Sequence, residues 1–126
     1  MKTEKFSVRK RLKSFGYAFN GLKLLVKEEH NSRIHLIAAV VAILLGWGLN
    51  ISLDEWLVLL LVIGAVFVAE LFNSALENLA DHLSPAESDQ IKKVKDLAAA
   101  AVLVCAFVAI LIACLLFLPK IYRLLA

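Results

Sequence analysis

Twenty-two consecutive residues, Leu97 to Leu118, carry no charge, and that run constrains the fold more than any other feature of the chain. As an α-helix it measures about 33 Å, enough to cross a hydrocarbon core of about 30 Å. A helix satisfies every backbone group within the segment, which lipid demands. Pro119-Lys120 is expected to end it. Two further runs precede it. Ile34 to Leu49 holds sixteen residues whose only ionisable side chain is His35. At about 24 Å it is short, so the span is expected to begin near Asn31 and end near Leu53. Another runs from about Asp54 to Asp81. Hydrophobic residues make up 61% of the chain, against about 45–50% in a soluble domain. The reading is therefore an all-α integral membrane domain of residues 1–126, with membrane helices at 31–53, 54–81 and 91–118.

Ahead of these spans, Val8, Leu12, Phe15, Phe19, Leu22 and Val26 recur at helical spacing. Arg9, Lys13, Asn20, Lys23 and Lys27 gather on one flank. An amphipathic helix over 6–28 is expected to lie in the membrane interface, apolar face down and basic flank toward head groups. Residues 1–33 carry nine Lys/Arg against three Glu, and basic residues beside a bilayer attract anionic lipid at about 1 kcal/mol each. No groove-reading motif accompanies them, so nucleic acid is not the expected partner. The long charged amino end lacks an apolar core and a small-residue cleavage site, so no cleaved signal peptide is expected. Cys105 and Cys114 are nine residues apart on opposite faces of one helix and read as buried small hydrophobes. The connection 50–55 has no Lys or Arg, whereas the one after Asp81 carries Lys92, Lys93 and Lys95. The positive-inside rule places the amino end and that second connection in the cytoplasm. Lys120 and Arg123 then fall on the outer side, a mild violation.

Within the second span the apolar pattern breaks. Glu70, Asn73, Glu77 and Asp81 fall at roughly 0°, −60°, −20° and +20° around a helix, a single narrow polar stripe. A carboxylate at the bilayer centre costs about 2.5–3.5 kcal/mol on insertion scales, so such residues usually mark a functional site. A proton or cation path is one chemistry the stripe supports. A dinuclear metal site is disfavoured, because Ala80 stands where Glu77 would need a histidine three residues on. His30, His35 and His82 read as interfacial hydrogen-bonding groups. Phosphoryl transfer needs carboxylates for Mg²⁺, a cation on the phosphates and a group to activate the attacking hydroxyl. Glu29, Glu77, Lys95-Asp96 and the deeper Glu70 supply these parts. A base placed inside the hydrocarbon edge makes sense when the hydroxyl belongs to a lipid. Gly16 to Lys23 mimics P-loop spacing, but Leu22 occupies the lysine position and no strand precedes it. Interhelical hydrogen bonding alone, worth about 0.6 kcal/mol per bond, accounts for Asn73 and Ser74 but not for this many acids.

The pattern Glu70-Leu71-x-Asn73-Ser74-Ala75-x-Glu77-x-x-x-Asp81, then Lys95-Asp96 and Ala100-Ala101-Val102-Leu103, with Gly16-Tyr17 and Glu29 ahead of it, resembles the bacterial diacylglycerol kinase/undecaprenol kinase family of small integral membrane kinases. The resemblance implies a homotrimer in the bacterial inner (plasma) membrane, each protomer having a surface helix and three membrane helices, with active sites shared between neighbours. It implies phosphorylation of a membrane lipid alcohol by MgATP. Glu70 then corresponds to the general base and Asn73 to its polar partner. Glu29 and Glu77 correspond to the Mg²⁺ ligands. Lys95, Asp96, Tyr17 and Lys10 correspond to nucleotide-side residues, and Asp81 to a supporting acid. The stretch Pro85-Ala86-Glu87-Ser88-Asp89-Gln90 departs from the family, whose members often carry a histidine there. Glu28-Glu29-His30-Asn31, His35 and Phe117-Leu118-Pro119-Lys120 look closer to the undecaprenol branch, with diacylglycerol as the alternative substrate.

Overall fold

A computed structural model of the chain describes residues 4–84, 86 and 88–126. Four helices follow one another: α1 (Val8–Glu28), α2 (His30–Gly48), α3 (Leu53–Leu83) and α4 (Asp89–Leu125). Helices α2, α3 and α4 are long and apolar enough to cross a membrane. α3 and α4 pack along much of their length, and α2 leans against the pair along a shallower seam.

Three of the four starts are set by a hydroxyl. Ser7 accepts from the Lys10 N–H, Ser88 from the Ile91 N–H, and Ser52 forms a capping box with Glu55 at the head of α3. α2 stops at Gly48, earlier than the expected Leu53. The cause is a Schellman-type end: Ile51 N–H donates to Gly46 O (3.1 Å) and Asn50 N–H to Trp47 O (3.2 Å). Asn50 takes the left-handed conformation this requires, with φ 52°, and asparagine tolerates it better than most residues. Packing follows from the tight turn. Gly46 lets α3 come close, for a Cβ there would meet Trp56 Cη2 at 2.8 Å and Ile51 Cδ1 at 3.1 Å. Trp47 and Trp56 meet edge-on with centroids 6.3 Å apart. Ile51, Leu59, Leu116 and Phe117 form the buried core beside this turn.

The last helix corrects the expected 91–118 boundary. α4 starts at Asp89 and runs through Pro119 to Leu125. Proline removes its own N–H from the ladder, but the chain beyond it is held by tertiary contacts. Lys120 Nζ lies 3.0 Å from Glu55 Oε2, and Ile121 packs on the core. The same ion pair neutralises Lys120, which the expected orientation placed on the outer side.

Candidate active site

Glu29 is the one residue between α1 and α2, in extended conformation at φ −109° and ψ 114°. Arg33 fastens this elbow from the α2 side: its Nε donates to Val26 O at 2.7 Å and its Nη2 to Lys27 O, filling the open carbonyl end of α1. Glu29 makes no side-chain cap to α2. Its carboxylate instead reaches across to α3, where Ser74 Oγ donates to Oε1 at 3.3 Å.

A turn deeper, α2 grips Glu70. Ser32 Oγ donates to Oε2 at 3.0 Å, and His35 Nε2 lies 3.1 Å from Oε1. That second contact is close but not aligned as a hydrogen bond, so Oε1 is buried with no aligned donor. Glu70 is 3% exposed and Ser32 fully buried. Asn73, one turn along α3, likewise buries its Oδ1 without a donor. Buried acceptors are nearly always satisfied; Asn73 Oδ1 has no donor among the described residues, while Glu70 Oε1 has His35 Nε2 beside it. An apolar cavity of about 280 Å³ between α2, α3 and α4 includes His35 in its wall.

Toward the loop end of α3 the charged groups continue. Ser74 is three residues from Glu77, and such neighbours on a helix lie about 5–6 Å apart at Cβ. Ser74 holds Glu29, and Glu77 follows Ser74 by three residues on α3. Lys95 of α4 pairs with Asp81 of α3, which brings it to the end of the stripe. Asp96 instead pairs with Lys92 on its own helix at 2.6 Å. Lys10 pairs with Glu4 at the far end of α1, and Tyr17 is 74% exposed. Measured along α1, these two stand about 28 Å and 18 Å from Glu29. The single chain therefore sets Glu29 and Glu70 along the α2–α3 seam, with Asn73 and Glu77 on the same helix as Glu70 and Lys95 at Asp81, and leaves Lys10 and Tyr17 far from Glu29 along α1. Pro85 and Glu87 of the divergent connection lie outside the described residues.

No group of three or more His, Cys, Asp or Glu stands ready for a metal among the described residues. Mg²⁺ is commonly held by one or two carboxylates together with substrate phosphates. The donor chemistry of Glu29 and Glu77 fits it.

The sequence profile of the family described as prokaryotic diacylglycerol kinase matches residues 16–117. An undecaprenol kinase of Bacillus subtilis (strain 168) is 36% identical over 86% of this chain and 88% of that protein. A diacylglycerol kinase of Synechocystis is 33% identical over 90% of this chain and 65% of that protein. The diacylglycerol kinase of Escherichia coli (strain K12) is 27% identical over 83% of this chain and 86% of that protein.

Proposed function

Because the chain belongs to the prokaryotic diacylglycerol kinase family, we propose that it is a lipid kinase that transfers the γ-phosphate of ATP to the hydroxyl of undecaprenol. The observation that carries this reading is Glu70: a buried acid in an apolar helix, held on one oxygen and lacking an aligned donor on the other. A lipid hydroxyl supplies that donor. Its proton passes to the Glu70 carboxylate while its oxygen attacks the γ-phosphorus, and ADP leaves. General-base assistance of this kind is worth about 10²–10⁴-fold.

Glu29 and Glu77 are the proposed Mg²⁺ holders, with Asn73 beside the base. Magnesium bound there supplies charge neutralisation on the phosphates. Lys95 stands on the nucleotide side with Asp96, Tyr17 and Lys10. The separation of Lys10 and Tyr17 from Glu70 within one chain supports a homotrimer whose sites are shared between neighbours. Exposed Val8, Leu12, Phe15 and Phe19 support an interfacial, amphipathic role for α1, with the amino end cytoplasmic. Undecaprenol is favoured over diacylglycerol by the 36% identity to the Bacillus enzyme, against 33% and 27% for the two diacylglycerol kinases.

The test is transfer from labelled ATP in mixed micelles, with the two lipids side by side. Undecaprenol is expected to be phosphorylated faster. Preference for diacylglycerol overturns the substrate assignment, and no transfer to either overturns the kinase reading.

A further inference from the structure

Ser32 and His35 are three residues apart on α2, and both reach one carboxylate on α3. The side chains of Glu70 and His35 are 4% and 25% exposed. An isolated buried carboxylate is costly and must be paired to stay in place. Ser32 alone fixes Oε2, which leaves the carboxyl plane free to turn about that bond. His35 stands 3.1 Å from the other oxygen and removes this freedom. It still leaves Oε1 able to accept from a substrate hydroxyl, because a carboxylate oxygen has a second lone pair. His35 is also the polar side chain in an otherwise apolar cavity wall, so it stands between that cavity and the base. The α4 residues in the wall, Ala106, Ala109, Ile110 and Ala113, are uncharged. Arg33, the charged neighbour on α2, is committed to the α1 carbonyls.

We propose that Ser32 and His35 are positioning residues of the phosphoryl transfer, clamping the two oxygens of Glu70 so that Oε1 faces the lipid hydroxyl. This rests on the lipid-kinase reading of Glu70. The clamp acts on the chemical step and leaves nucleotide binding alone.

The experiment compares wild type, Ser32→Ala, His35→Leu and His35→Gln in mixed micelles, with kcat and separate KM values for undecaprenol and ATP. Glutamine returns an amide N–H near the place of Nε2, whereas leucine fills the volume without a donor. Groups that orient a reacting residue typically matter by about 10–100-fold. The kcat of His35→Leu is expected to fall by that order and to recover in large part in His35→Gln. Ser32→Ala is expected to lose less, and KM for ATP to stay constant throughout. Wild-type kcat in His35→Leu overturns the proposal, as do equal losses in the leucine and glutamine variants. A second measurement does not depend on those variants folding. In ¹⁵N-histidine spectra the ring signals of His35 are expected to move in Glu70→Gln while those of His30 and His82 stay. An unmoved His35 ring overturns the clamp. Absence of transfer by wild type overturns the kinase reading instead, and the spectra still judge the clamp separately.

Discussion

Glu55 and Glu70 lie on the same helix, about 22 Å apart along its axis, and meet opposite surroundings. Both oxygens of Glu55 are engaged: Oε1 accepts the Ser52 N–H at 3.1 Å and Oε2 pairs with Lys120 at 3.0 Å. Around it stand the Trp47–Trp56 edge contact, the Schellman turn and the buried core. Glu70 sits deeper, against α2, with an oxygen that has no aligned donor, and Asn73 beside it repeats the deficit. One carboxylate completes a joint, whereas the other keeps an acceptor in reserve. The two acids differ most in burial: Glu70 is 3% exposed, whereas the Glu55 side chain is 30% exposed.

The largest separation between the two ends is expected from paired amide substitutions. Glu70→Gln should lower turnover by about 10²–10⁴-fold with the fold retained, while Glu55→Gln should leave turnover per folded molecule unchanged. Equal losses in the two variants would erase the distinction. Gly46→Val acts at the other end, driving methyl groups into Trp56 and Ile51. Overpacking of this kind costs about 1–3 kcal/mol, seen as a lower Tm in detergent with kcat unaltered. Ser52→Ala removes the capping box of α3, and about 1 kcal/mol of stability should go with it. The smallest effect belongs to Lys120→Met. Its pair with Glu55 is about one-third exposed on each side, so the loss should stay below about 1 kcal/mol and shrink further in high salt.

Apolar run length and polar periodicity carried much of this in advance. The uncharged stretch from Leu97 and the stripe from Glu70 to Asp81 both became continuous helix. Pro119 did not end α4, because a proline costs only local ladder contacts and Lys120 and Ile121 supply tertiary ones. The break at Glu29 falls between the expected helices 6–28 and 31–53, although Lys27-Glu28-Glu29-His30 contains neither glycine nor proline and the bend is held by Arg33. Ser32 and His35 escaped notice as a pair because their common partner lies 38 residues from Ser32 in sequence. Two polar residues spaced by three in an apolar span were the available sign, and only packing reveals what they face. Lys10 and Tyr17 were read on the same footing as Glu70, yet one chain leaves them apart from it along α1.

The elbow at Glu29 has a mechanical corollary. Two torsion angles set both where α1 points and where the Glu29 side chain is presented, so the helix works as a crank whose pivot is itself a proposed ligand. Arg33 and the buried Leu25 lock that pivot, so an arm of about 32 Å and the acid at its hub are aimed together.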